Sequence, residues 1–246
     1  APSINSSLRI ITSEMQKLTD EQYKHIEYLL NMERYLVQGG AGTGKSFLAM
    51  YVARKHDADN KKVIFVARNP IFANFISYQL RKTSVYVSSL NKILESESNE
   101  KKYDVLIMDE AQDLCEWEVI DELDKLIIGG IEKGKWIWFG DTNRQVSPSI
   151  NFDTDAFEYF EKNSIHILPQ LKQNVRNTYE IIQALEIYAH AEVGTSERKI
   201  SKDLGSKLKI GQAKDQTEAY QETSQELERL FSKDINAQDL AVLVPD

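Results

Sequence analysis

Apolar residues recur along this chain in two patterns that alternate. Short continuous runs appear at Tyr35-Leu-Val37, Val63-Ile-Phe-Val-Ala67, Val105-Leu-Ile-Met108 and Trp136-Ile-Trp-Phe139, each bounded by charge or glycine. Runs without polar alternation predict strands buried on both faces, as in a parallel sheet. Residues 83–88 read as a further strand. Between them lie stretches of helical spacing: Tyr23, Ile26, Leu29 and Leu30; Phe47, Leu48, Tyr51 and Val52; the segment from Pro70 to Leu80; residues 117–128; and Ile181, Ile182, Leu185 and Tyr188. Strands alternating with helices predict an α/β domain with a mostly parallel sheet flanked by helices.

Local signals mark the ends of these elements. Thr19 with Gln22 forms a capping box, and Leu18 with Tyr23 suits a hydrophobic staple, so Gln22 has a complete structural explanation as a capping residue. Arg54-Lys55-His56 closes the second helix, Gly129-Gly130 ends the helix over 117–128, and Asn177 with Glu180 starts the one after it. Residues 1–17 are a polar lead-in, and the charged stretch 95–102 is a solvated connector. Residues 18–189 form the main domain. Residues 190–206 read as a linker, followed by a short strand at 208–212, a charged helix at 217–231 and an apolar strand at 239–244, the last needing a sheet to join.

Composition narrows the setting. The chain has 246 residues, 41% hydrophobic and 28% charged, ordinary for a globular protein. No apolar run approaches the ~18 residues that span a bilayer, so no membrane partner is expected. The first residues lack the basic head and apolar core of a secretory signal, and the missing initial Met suggests a processed or excised chain. A single cysteine, Cys115, excludes an internal disulfide framework and fits a reducing cytoplasm; just past an acidic turn, it reads as packing. The net charge of −8 argues against broad nucleic-acid binding but leaves room for a narrow groove that holds a single strand by stacking.

The chemistry concentrates after the first strand. Gly39-x-x-x-x-Gly44-Lys45-Ser46, with Gly40, Ala41, Gly42 and Thr43 between, matches the P-loop pattern in full. Small residues let backbone N–H groups close around phosphate oxygens, and the following helix adds its N-terminal dipole. Lys45 would reach the β/γ-phosphates of ATP and Ser46 would ligate Mg²⁺. Asp109-Glu110 ends an apolar strand, so at the carboxyl edge of a parallel sheet it would face the P-loop. Asp109 would hold the Mg²⁺ shell and Glu110 would orient and deprotonate water. Gln145, in a turn after the 135–140 strand, could reach the γ-phosphate or the water, though such turn residues are more often simply solvated. Arg176, just before a helix, is a candidate clamp on phosphoryl charge, with a surface ion pair as the equal alternative.

Taken together, these motifs resemble superfamily 1 helicases of the UvrD/Rep type over most of residues 18–180. Gln22 falls at the adenine-reading Q motif of that family. Residues 39–46 match motif I, residues 63–73 look like motif Ia, and Asp109-Glu110-Ala111-Gln112-Asp113 is similar to its DExQD box. Gly140-Asp141-x-x-x-Gln145 matches motif III, and Leu171-x-x-Asn174-x-Arg176 looks like motif IV. The resemblance implies a RecA-like fold with the start of a second RecA-like domain in 190–246, and it lifts Gln22, Gln145 and Arg176 above their local readings. The Asn-x-Arg-Asn-Thr form is also similar to helicase modules attached to nuclease-related domains. Three departures stand out. Val175 replaces an aromatic that packs on adenine, Phe47 replaces an arginine after the P-loop, and about a dozen residues separate Ser89 from Tyr103 where large relatives insert an accessory domain. Motifs V and VI, with a second arginine, are not reached; loss of an arginine finger costs about 10³–10⁵ in rate, so slow turnover is expected of this chain.

The resulting expectation is an ATP·Mg²⁺-binding motor domain that hydrolyses ATP to move along single-stranded DNA, with RNA as the alternative strand. Its other partners would be the remainder of the second motor domain and, in the parent protein, a nuclease domain. Asn69 and Phe72 after the second strand and Ser88 and Ser89 after the third are candidate strand contacts, with Phe72 equally explained as core. The rival expectation is a nucleotide-dependent switch that unwinds nothing. A P-loop small-molecule kinase leaves Gln145 and Arg176 unexplained.

Overall fold

The computed structural model describes residues 20–95, 102–141, 153–167, 169–191, 193–196, 211–232, 235–240 and 242. The chain divides into two compact units, Ala1–Ser206 and Lys207–Asp246. In the first, the described elements run α1 (Asp20–Asn31), β1 (Arg34–Gln38), α2 (Lys45–Ala58), β2 (Val63–Ala67), α3 (Pro70–Gln79), β3 (Tyr86–Ser89), α4 (Leu90–Leu94), β4 (Val105–Asp109), a 3-10 turn (Ala111–Leu114), α5 (Trp117–Leu126), α6 (Gly130–Lys133), β5 (Lys135–Gly140), α7 (Thr154–Asn163), β6 (His166–Ile167) and α8 (Tyr179–Ala189).

The six strands form one sheet in the order β3-β2-β4-β5-β1-β6, and every pairing in it is parallel. This is the α/β P-loop architecture expected of the sequence. Consecutive strand residues point to opposite faces. Tyr35, Val37, Phe65, Ile107, Ile137 and Phe139 pack with Ile26, Leu29, Leu48, Val52 and Ile76 of α1, α2 and α3. Leu36, Ile64, Val66, Leu106, Met108, Trp136 and Trp138 pack with Leu90, Ile93, Leu123 and Phe160 on the other face. Both faces are therefore dry, which is why the strands read as unbroken apolar runs. The buried Trp136 indole donates to the Ile131 carbonyl at 2.8 Å, so the large ring leaves no unpaired donor.

Chain order and sheet order differ around β1, and that difference opens the site. From β1 the chain crosses past β5 and β4 to reach β2, and it returns to β1's far side only at β6. Such a reversal leaves a crevice at the carboxyl ends of the strands.

Several boundaries depart from expectation. The helix expected over 117–128 stops at Leu126, because Tyr103 and Ile127 form a parallel bridge: the Tyr103 N–H donates to the Leu126 carbonyl at 2.8 Å. Gly129 and Gly130 then open α6 rather than end α5. Helix α7, capped by the Asp153 carboxylate on the N–H groups of Asp155 and Ala156, was not anticipated. Part of the expected linker is packed: Val193 and Ser196 are buried, and Thr195 bridges Gln173. The expected connector at 95–102 lies largely outside the described residues.

The second unit contains α9 (Gln216–Phe231), as the charged pattern suggested, and a 3-10 turn at Ala237–Asp239. Asp215 caps α9 by accepting from the Glu218 N–H at 2.9 Å. Within the expected apolar strand, Asp239 belongs to the turn and Leu240 and Val242 to no strand. A strand needs a neighbour to bond, and this unit has none among its described residues.

Candidate nucleotide site

The loop over residues 39–46 turns sharply between β1 and α2. Gly42 and Gly44 have φ of 87° and 86°, which a side chain resists. Space is as restrictive as backbone: a Cβ on Gly42 would meet Asn174 Oδ1 at 2.7 Å, and one on Gly44 would run into the Gln22 amide. The Thr43 hydroxyl donates to the Gly40 carbonyl at 2.8 Å. Lys45 is buried, and its ammonium donates to the carbonyls of Gly39 at 2.7 Å and Gly40 at 3.3 Å. The cation is thus already gathered over the cradle where a phosphate would sit.

Strand β4 brings the acids to the same edge. Asp109 is fully buried at the last position of the strand, paired in register with Ala67 of β2. Burial, then the neighbouring Glu110 charge, push its carboxyl up to about 6; the Ser46 hydroxyl, the Glu110 N–H and the Lys45 ammonium oppose that shift. Asp109 Oδ1 accepts from the Glu110 N–H at 3.0 Å. Its Oδ2 is buried without a hydrogen-bond partner among the described residues, although Ser46 is near enough to favour the charged form. An orphaned carboxylate oxygen beside a serine hydroxyl is a hard, oxygen-only donor pair, which fits Mg²⁺.

Glu110 adopts the left-handed conformation, φ 50° and ψ 43°. A non-glycine residue so held stores local strain, and such positions cluster at functional sites. The Glu110 carboxylate accepts from Gln112 Nε2 at 2.9 Å, and Gln112 Oε1 accepts from the Asp141 N–H at 3.0 Å. The buried Gln112 thereby joins the ends of β4 and β5. No local signal had given it a role beyond its place in the motif. Behind it, the Arg68 guanidinium holds the Asp113 carbonyl and, at 2.8 Å, the Glu116 carboxylate. Cys115 lies in the core with its thiol pushed up to about 12 by burial, so it is inert packing.

A third segment clasps the loop from the far end of the sequence. The N–H groups of Val175 and Arg176 donate to the Gly42 carbonyl at 2.9 and 3.2 Å. Asn174 is buried with its amide fully used. Its Nδ2 donates to the carbonyls of Ala41 at 2.8 Å and Val193 at 2.6 Å, and its Oδ1 accepts from the N–H groups of Arg176 and Asn177. This turn explains why α8 is capped at Thr178 rather than at Asn177: the Asn177 N–H is already turned back to Asn174. The Arg176 side chain is exposed.

On the opposite side, Gln22 projects from α1 and its Nε2 donates to the Thr43 carbonyl at 3.0 Å. Its side chain thus reaches the loop; Thr19, the other half of the expected capping box, lies outside the described residues. Phe47 and Val175 are both half-buried at the loop.

The remaining expected residues are spread along the carboxyl edge. Asn69 caps α3, accepting from the N–H groups of Ile71 and Phe72. Phe72 is half-buried against the core, its ring 6.3 Å from that of Phe75. Ser88 and Ser89 are buried, with the Ser88 hydroxyl on the Ser89 carbonyl. Gln145 lies outside the described residues. No described helix is long and apolar enough to cross a membrane.

Comparison with known proteins gives a family. The family model described as Schlafen group 3, DNA/RNA helicase domain, matches residues 33–226. This is a helicase family, though the match does not single out the UvrD/Rep type. No curated protein sequence matches the chain. Among solved structures, Bacteroides Pif1 bound to ssDNA is 18% identical, with a TM-score of 0.48, covering 82% of this chain and 52% of that one. The Sulfolobus solfataricus SWI2/SNF2 ATPase core in complex with dsDNA is 12% identical, with a TM-score of 0.42, covering 90% and 55%. AMPPCP-bound DnaA from Aquifex aeolicus is 16% identical, with a TM-score of 0.41, covering 76% and 56%. The chain spans about half the length of these structures.

Proposed function

The chain belongs to the Schlafen group 3 DNA/RNA helicase domain family, and from that premise we propose that it is the ATP-binding and hydrolysing motor domain of a superfamily 1-like helicase or translocase acting on single-stranded DNA. The observation that carries the reading is the convergence of the P-loop and the Asp109–Glu110 pair at one sheet edge, with Ser46 and Lys45 both acting on the Asp109 carboxyl.

The residues divide the work. Loop N–H groups and the start of α2 bind the phosphates. Lys45 exchanges its carbonyl partners on Gly39 and Gly40 for phosphate oxygens. Asp109 and Ser46 hold Mg²⁺, which supplies charge neutralisation on the phosphates when bound. Glu110, fixed by Gln112, orients the attacking water and accepts its proton. Arg176 approaches the γ-phosphate from the turn that clasps Gly42, and Gln22 lies where it can read the base. Gln145, in the segment that follows β5 in the chain, completes the set by its place in the motif, and Asn69, Phe72, Ser88 and Ser89 mark the strand track at the carboxyl edge. The cytoplasm is the compartment its free, buried thiol suits.

Hydrolysis of ATP with and without oligo(dT), in the wild type and Glu110→Gln, tests this directly. Stimulation by oligo(dT) that disappears in Glu110→Gln is expected; turnover indifferent to that substitution removes Glu110 from the mechanism. The net charge of −8 favours a second reading, a nucleotide-dependent switch. A salt-dependent affinity for oligo(dT) separates the two, since a switch needs none.

A further inference from the structure

Charge is unevenly placed along this acidic chain. Residues 60–94 carry six Lys and Arg and no Asp or Glu, in a protein of net charge −8. That stretch folds as β2, α3, β3 and α4, the last layer at the β3 edge of the sheet. Its helix α3 has no charged residue of its own, yet it is only half used for packing. Ala73 and Ile76 are buried, whereas Ile71, Phe75 and Tyr78 are 80%, 50% and 62% exposed. The spacing of four and then three residues puts these side chains on one stripe along the helix.

The stripe ends in cations. The Arg81 guanidinium lies 4.1 Å from the centre of the Tyr78 ring and is pinned there by an N–H donated to the Tyr78 carbonyl at 2.8 Å. Arg54, from the end of α2, donates to the Gln79 carbonyl at 3.0 Å, and Lys82 follows in the chain. All three basic side chains are exposed. A carboxylate does reach this end of the helix, that of Asp57 of α2, but it accepts from the Ser84 N–H at 3.0 Å and the three exposed cations outnumber it. Exposed rings running into this cationic end complement a polyanion whose bases lie flat.

We propose that the outer face of α3 is a stacking platform for single-stranded DNA, with bases laid on Phe75 and Tyr78 and phosphates on Arg54, Arg81 and Lys82. This rests on the motor reading above and extends it. Asn69 and Phe72 stand at the carboxyl edge, and the platform leads away from that edge down the helix, so the strand has a second contact outside the nucleotide crevice.

The test is oligo(dT) affinity by fluorescence anisotropy over a range of salt, for wild type, Phe75→Ala, Tyr78→Ala and Arg81→Ala. Melting temperature serves as the folding control, since these side chains are exposed. Each ring removed should weaken binding on the order of tenfold at unchanged salt slope. Arg81→Ala should lower the slope by about one ion. Crosslinking of a 4-thiothymidine oligonucleotide should label the peptide carrying Phe75 and Tyr78. If wild type binds oligo(dT) and the ring variants bind equally well, with the crosslink elsewhere, the platform is overturned and the face belongs to a protein partner. If wild type binds no oligo(dT) at all, the motor reading fails first and takes the platform with it.

Discussion

His56 sits at the end of α2, buried, with its Nε2 unpartnered among the described residues. Burial first, then the nearby Lys135 charge, lower its pKa to about 4 from the ordinary 6.5. Between those two values the unfolded chain binds a proton that the folded chain refuses, so stability is full above pH 6.5 and drains away as pH falls toward 4. Thermal melts from pH 7 to 4.5 should show this loss, and His56→Gln should flatten it; parallel curves for the two proteins would assign the acid sensitivity elsewhere. Nothing in the sequence marks this histidine, which read only as part of a basic helix end. Gln22 is the reverse case. Its local pattern supported a capping role, and only the resemblance favoured the loop, because a capping box is a statement about neighbours three residues apart while the Thr43 contact spans twenty-one. Local rules do not see that distance. Gln112 and Asn174 were visible as motif letters without duties, since their work is hydrogen bonding between segments that only the folded sheet edge brings together.

Among the elements, the strands were the most legible. A parallel strand dry on both faces has no pattern to compete with, and residues 34–38, 63–67, 105–109 and 135–140 fold as their apolar runs require. Short helices and irregular segments were less so: α6 exists because a single bridge diverts the chain, and residues 193–196 look polar yet pack. The turn at 174–177 is the element on which the site's geometry depends most, since it fastens the P-loop to the segment that bears Arg176. Asn174→Ala should leave the carbonyls of Ala41 and Val193 without donors, each costing roughly 1–3 kcal/mol where burial persists. Asn174→Asp should be worse, because it sets a carboxylate against two carbonyl oxygens. Both variants are expected to melt lower than wild type, in that order, and to bind ATP more weakly in calorimetry. An Asp variant that melts with wild type would mean that the amide donors contribute little.

At the scale of the whole molecule, the motifs that read as a list in the sequence occupy one carboxyl edge because every strand of the sheet points the same way. Parallel topology delivers the end of β1, the end of β4 and the end of β5 to a common rim, so the P-loop and the Asp109–Glu110 pair meet without any one segment encoding the site. The charge distribution adds a second axis: the stretch 60–94, at the β3 edge, contributes cations and no acid of its own, in a chain otherwise dominated by acids.

The central place of β1 also sets a clock. Of the strands in this sheet it is the first to be synthesised, yet its sheet partners lie in residues 135–140 and 166–167. About a hundred residues must follow before β5 can pair with it, which at ~5–20 residues per second is on the order of 5–20 s. For that interval Tyr35, Leu36 and Val37 have neither neighbour, and the most apolar part of the nucleotide site waits with both edges open. Synthesis of this sheet therefore asks more of the cell's chaperones before β5 emerges than after, and the P-loop is translated well before the sheet that supports it can close.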